Sequence, residues 1–343
     1  MRSPSSMSRW IASLRALIER VAALLRRYPG LVALFGFVSG LASFLLVDRQ
    51  ASLAKIIAVV MLISWLWLAL GHSLHRWLER CFGLRLPPPL LQYATQMIHQ
   101  ESLFFVLPFF AITTSWNTGQ VLFTGLLGLA ALVSILDPLY YRVLAPRRWL
   151  YLAFHSLTLF AVLLTALPII LHLDTVQSYR WALSIALVLA IPSLAALTGR
   201  SWRRWLVAPV LLVILVGAGW LGRLWVPPAT LWLTEVAISH DVRERAPSER
   251  LRRISVEHLT TEGLYAYTAI NAPRGLSERI QHVWRWNGAE VDRITLQIQG
   301  GREAGYRAWT HKRNFPRDPR GQWQVQVVTE AGQLIGMLRF EVE

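Results

Sequence analysis

Charge is scarce in this chain and cysteine is nearly absent. Asp, Glu, Lys and Arg make up 16% of its 343 residues, against roughly a quarter in soluble domains. With 54% hydrophobic residues, that deficit predicts a membrane protein. The one cysteine, Cys81, excludes a disulfide within the chain, so any outer domain must rely on its own apolar core. Acidic residues are missing chiefly from the first two thirds. Up to Thr230 there are 19 basic and 6 acidic residues; from Leu231 on there are 16 and 14. The formal net charge of +15 therefore does not form the basic face of a folded domain, and nucleic acid is dropped as a partner. A Gly-x-Ser-x-Gly elbow, a Walker loop, a Cys-x-x-Cys pair and an EF-hand loop are also missing. No cofactor or metal is assigned, and a non-enzymatic protein is favoured.

What the chain does have is long apolar runs. Candidate spans lie at 31–47, 52–71, 98–116, 119–136, 149–170, 180–198 and 205–222, each near the ~20 residues that cross a bilayer. Arginines cluster on alternate sides: Arg76, Arg80 and Arg85; Arg142, Arg147 and Arg148; Arg200, Arg203 and Arg204. Basic loops stay in the cytoplasm, so an odd number of crossings puts the carboxyl end outside. Those loops are expected to meet anionic membrane lipids. Before the first span, residues 1–28 carry Leu14, Leu17, Ile18, Val21, Leu24 and Leu25 at helical spacing, with Arg9, Arg20 and Arg27 off that face. This predicts a cytoplasmic amphipathic helix in the headgroup plane. The first span reads as an uncleaved anchor.

After Val226-Pro227-Pro228 the period changes from helical to alternating. Trp323, Val325 and Val327 alternate with glutamines, and Leu338, Phe340 and Val342 with Met337, Arg339 and Glu341. This is the pattern of half-buried antiparallel strands, and Asn287-Gly288 is a hairpin signal. Strands are predicted at 232–240, 252–258, 263–271, 280–287, 290–299, 305–313, 322–329 and 333–342. The expected fold is thus a membrane all-α bundle of about seven transmembrane helices over 29–226, then an all-β immunoglobulin-like sandwich over 231–343.

The run His282-Val283-Trp284, then Asn287-Gly288, Gly321 to Val325 and Gly332 to Phe340 resembles the domain of unknown function 2914 family, a bacterial envelope β-domain. The resemblance extends over about 231–343, and the helical part resembles the polytopic companion segment of that domain. It implies an inner-membrane protein with a periplasmic β-domain, and it implies no activity.

Two sets of residues are candidates for function. His99, Glu101, Asp137 and His155 are ionisable groups at similar depth in the expected bundle, where such groups are costly. They would serve a transporter or a lipid-modifying enzyme. His99 and Glu101, two apart on a helix, point about 200° from each other. In the last third, Arg307, Trp309, His311 and Arg313 share one face of a strand, where cations and an aromatic ring suit an anionic sugar or a carboxylate. The favoured reading is a β-sandwich that binds an envelope protein or glycan; the competing one places chemistry among the helices.

Overall fold

A computed structural model describes scattered positions between 13 and 42, then residues 51–82, 87–197 and 204–343. The amphipathic helix expected before residue 28 and the first expected span lie largely outside the described residues. The helices are α1 (Ala51–Phe82), α2 (Pro88–Thr113), α3 (Gln120–Ile135), the short α4 (Asp137–Leu139) running into a π turn (Tyr140–Leu144), α5 (Arg148–Leu171), α6 (Thr175–Leu197) and α7 (Arg204–Gly222). The chain divides into two compact units. One takes in residues up to Phe105 together with Gly128–Val162, and the other joins Val106–Leu127 to Leu163–Glu343.

The seven-span bundle is not what forms. Among the described residues only α5 is both long and apolar enough to cross a membrane. A second crossing exists only if α3 and the segment Asp137–Leu144, bent by 95° at their junction, count as one. The hydropathy of the other runs was real but poorly distributed. Within α1 the apolar stretch among the described residues is Lys55–Leu66. The middle of α2 carries Thr95, Gln96, His99, Gln100, Glu101 and Ser102. α3 has 16 residues, about 24 Å of helix against a ~30 Å core. α6 opens on a polar turn that holds Gln177, Ser178 and Arg180.

The bend after α3 has a local cause. Leu136 is extended, and Pro138 sits in the first turn of α4, where its missing N–H costs nothing. That N–H would otherwise have bonded the Ser134 carbonyl. Gln96 Nε2 donates to it instead, at 3.1 Å, and to Asp137 Oδ1 at 2.8 Å, while the Tyr141 hydroxyl donates to Gln96 Oε1 at 2.6 Å.

The last third is β-rich. Its strands are β1 (Trp232–Ser239), β2 (Val242–Arg243), β3 (Ala246–Pro247), β4 (Arg253–Ile254), β5 (Leu264–Asn271), β6 (Ser277–Trp286), β7 (Ala289–Gln299), β8 (Tyr306–Lys312), β9 (Gly321–Thr329) and β10 (Leu334–Val342). A small sheet runs β1-β5-β8 and a large one β4-β10-β9-β6-β7. Both feed one core, with Leu264, Ile270 and Ala308 from the small sheet and Ile280, Trp284, Trp323, Val325 and Phe340 from the large one. The β6–β7 hairpin turns at Asn287-Gly288, where both residues have positive φ, 46° and 88°, as a primed two-residue turn requires. The strand expected at 252–258 is instead the two-residue β4 followed by a helix, α8 (Val256–Glu262). The Pro-Pro segment does not hang free. Gln333 Nε2 donates to the Val226 carbonyl at 2.9 Å, and Arg223 Nε donates to the Ala331 carbonyl at 3.0 Å.

Candidate functional sites

In the first unit, three of the four ionisable candidates sit in two separate clusters. His99 is fully buried; its Nε2 lies 2.9 Å from His155 Nδ1, and its Nδ1 lies 2.9 Å from the Tyr140 hydroxyl. Tyr140 is hydrogen-bonded in turn to Tyr151. Trp65 roofs both imidazoles, with ring centroids 5.6 and 4.7 Å away, and donates its indole N–H to Ser102 Oγ. The two ends of the chain, Tyr151 and His155, are one helical turn apart on α5 and half-buried. Each member can both donate and accept a proton, so the chain Tyr151–Tyr140–His99–His155 can pass one. Asp137 belongs to the Gln96 clamp at the bend. Glu101 stands apart from both and accepts a bond from Ser39 Oγ at 3.1 Å. Among the described residues no three His, Cys, Asp or Glu side chains converge as metal ligands.

In the β domain, β8 turns Arg307, Trp309 and His311 towards the outer face of the small sheet, with Ala308, Thr310 and Lys312 buried beneath, and Arg313 follows just past the strand. They do not form one patch. Trp309 packs with Ala237, Tyr267, Ala269 and Val242. His311 stacks on Tyr265 at 4.0 Å and bonds the Glu262 carbonyl. Arg307 and Arg313 are exposed.

Three buried polar groups of this domain, His282, Lys312 and Glu278, are bridges. His282, on β6, spans the sandwich to Thr268 Oγ1 on β5 at 3.2 Å and Thr310 Oγ1 on β8 at 3.0 Å. Burial holds its imidazole down at about 4. Lys312 Nζ reaches Asp292 Oδ2 on β7 at 2.6 Å. Glu278, 1% exposed, accepts from both the backbone N–H (2.8 Å) and the hydroxyl (2.7 Å) of Thr175 at the start of α6. Burial raises its carboxyl to about 7, against the opposing pull of those two bonds.

Sequence reasoning missed a concavity of the β domain. An open cleft of about 700 Å³ lies between β1, the segment 250–252, β10 and the turn 115–118. Its walls are apolar, with Val236, Ile238, Leu251 and Leu338, and its rim carries Arg250, Arg252 and Arg339. Arg250 is tied to Glu235 at 2.8 Å; both side chains remain partly exposed. Arg339 was legible as an outward residue of β10, but Arg250 and Arg252 lie in a loop with no periodicity, so nothing in the sequence brought the three together.

A helical region followed by a two-sheet β domain, with an arginine-rimmed cleft in the second compact unit, defines the class. The chain belongs to the family of unknown function DUF5924, whose model matches residues 11–266. Residues 277–342 match the protein of unknown function DUF2914. That match starts well after residue 231 and covers β6 to β10, while β1 to β4 and the start of β5 fall within the first family. No curated protein and no solved structure matches the chain.

Proposed function

We propose that this is a membrane-anchored, non-enzymatic envelope protein whose β domain binds an anionic partner in the cleft between β1 and β10. The observation that carries the reading is the rim of Arg250, Arg252 and Arg339 around apolar walls. Guanidinium groups bind carboxylates and phosphates in a fixed fork, and the apolar walls supply the area that charge alone lacks. Anchoring rests on α5, the one described helix that passes as a span by itself. Orientation follows from the charges around it. Arg142 and Arg147 precede α5, Arg148 opens it, and all three belong in the cytoplasm. Thr175, just beyond its other end, bonds Glu278 of the β domain, so the domain faces outward, in the periplasm of a bacterial inner-membrane protein.

The test uses the full chain in detergent and two polymers of opposite charge. Poly-glutamate should bind, more weakly as salt rises, and poly-lysine should not. Arg339→Glu should lower poly-glutamate affinity at least about tenfold. Equal binding of both polymers, or an unchanged affinity in the variant, would overturn the reading.

A further inference from the structure

The geometry points to strand addition: we propose that the cleft takes an extended acidic peptide, which pairs its backbone with the open edge of β10. The proposal rests on the cleft being the binding site and adds the class of partner and how it is held.

The register of the large sheet identifies which backbone groups are open. β10 pairs with β9 along its length, but with β4 only at Glu341 and Val342. The Glu341 N–H donates away from β9, to the Arg252 carbonyl, and Glu343 N–H does the same to Ile254. Backbone groups alternate sides along a strand, so those of Arg339 and Met337 face the same way as those of Glu341. There they meet no strand, because β4 has already ended. The small sheet repeats the situation. β1 is its edge, paired only with β5. The Ile238 carbonyl faces outward, where it accepts from Leu251 N–H at 2.8 Å, so the groups of Val236 face outward too. Two unpaired edges therefore border one cleft.

Both ends of that cleft are closed. Residues 250–252 cross from β10 to β1 at one end through the bonds just named. At the other, Gln120 Nε2 donates to the Leu334 carbonyl at 2.8 Å. Leu233 of β1 lies on Gly336, so the open stretch runs from Met337 to Arg339 and suits about three or four extended residues. Exposed edges are normally blunted by charge, by bulges or by covering segments. Here β10 has a bulge before Gly336 and carries one arginine, Arg339, and one glutamate, Glu341; the charged residues that line the cleft, Arg250, Arg252 and Arg339, are all basic and would attract an acidic strand. A β-strand ligand gains affinity from main-chain bonds and specificity from alternate side chains. Carboxylates on one face of the peptide would meet Arg252 and Arg339, and apolar side chains on the other would meet Leu251 and Leu338.

The experiment uses the full chain in detergent and a labelled eight-residue peptide of alternating Glu and Val. Two control peptides accompany it: one with alternate backbone nitrogens methylated, and one with Lys in place of Glu. Met337→Pro removes one outward N–H of β10; proline is tolerated on an edge whose N–H faces solvent. The Glu-Val peptide should bind, and methylation and Met337→Pro should each weaken it at least about tenfold, with the thermal transition of the variant unchanged. Should Met337→Pro disturb folding, the methylated peptide carries the test alone. Equal binding of the methylated and plain peptides, both lost in Arg339→Glu, would overturn strand addition and leave the anionic cleft standing. Binding of none of the acidic probes, or of the Lys peptide as well, would overturn both.

Discussion

In the helical unit two sets of buried polar side chains gather and bond to one another across helices, whereas in the β domain His282, Lys312 and Glu278 act as single bridges. Tyr151, Tyr140, His99 and His155 form a closed set, and Gln96, Ser134, Asp137 and Tyr141 form another. Such sets satisfy their own donors and acceptors, and they fix a helix bend or a packing depth without a partner from outside. In the β domain, His282 ties the two sheets, Lys312–Asp292 ties β8 to β7, and Glu278 ties β6 to α6. A bridge exists only while both elements are in place, so its protonation is coupled to folding. Apolar packing carries most of the stability of the sandwich.

The strongest way to break that ordering is to remove the apolar centre. Trp323 is 1% exposed, stacks on Phe340 at 6.0 Å and donates its indole N–H to the Pro319 carbonyl. Trp323→Ala should cost about 3–5 kcal/mol, read as a fall in the denaturant midpoint of the full chain. Gln324, one residue on and half-buried on the other face, should be close to neutral as Ala. A loss below that of a bridge variant would mean that the polar contacts dominate.

The bridges themselves should show opposite pH dependence. The Glu278 carboxyl is raised to about 7 from 4.5, so the folded state holds its proton longer than the unfolded one. Stability is then greatest below about 4.5 and falls as pH rises towards 7, by on the order of 3 kcal/mol in all. His282, lowered to about 4 from 6.5, acts in reverse. Its contribution is complete above about 6.5 and is lost as pH falls towards 4. Between about 4.5 and 6.5 the two slopes oppose each other. Glu278→Gln keeps an oxygen for Thr175 and cannot ionise. Unfolding followed at several pH values should show the variant gaining on the parent from pH 5 to 8, with a stability that rises with pH up to about 6.5. A parent and variant with parallel profiles would mean that Glu278 does not titrate against folding.

The two regions also differ in how much the sequence reveals. A half-buried strand writes its faces into alternation, so Trp323, Val325, Leu338 and Phe340 were assigned to the core from period alone, and Asn287-Gly288 marked its hairpin. The β4–α8 segment was misread as a strand although Ser255 precedes a helix and Gly263, at φ 75°, ends it; seven residues are too few for a helical period to stand out. Among the helices, hydropathy measures how apolar a run is and not what covers it. Hydropathy also does not register that a run is short or bent, which is how about seven spans were counted. His99 and His155 meet across 56 residues with no spacing to announce it, and the cleft arginines come from a loop and a strand that only the tertiary fold brings together.

The smallest expected effect separates membership of a closed set from mere proximity to one. Glu101 lies two residues from His99 yet faces away from it, and among the described residues it accepts a bond from Ser39 Oγ at 3.1 Å. The amide of Glu101→Gln retains an oxygen that can accept from the same hydroxyl. Single interhelical hydrogen bonds are worth about 0.6 kcal/mol in membrane proteins, so the thermal midpoint of the purified chain should shift by no more than that contact allows. His99→Leu is the matched comparison, since it leaves the Tyr140 hydroxyl and His155 Nδ1 without their common partner. Two buried groups lose bonds in that variant where Glu101→Gln deprives none, and its midpoint should fall further. Equal shifts in the two variants would place Glu101 within the histidine set and remove the distinction between the two regions that the bonding pattern draws.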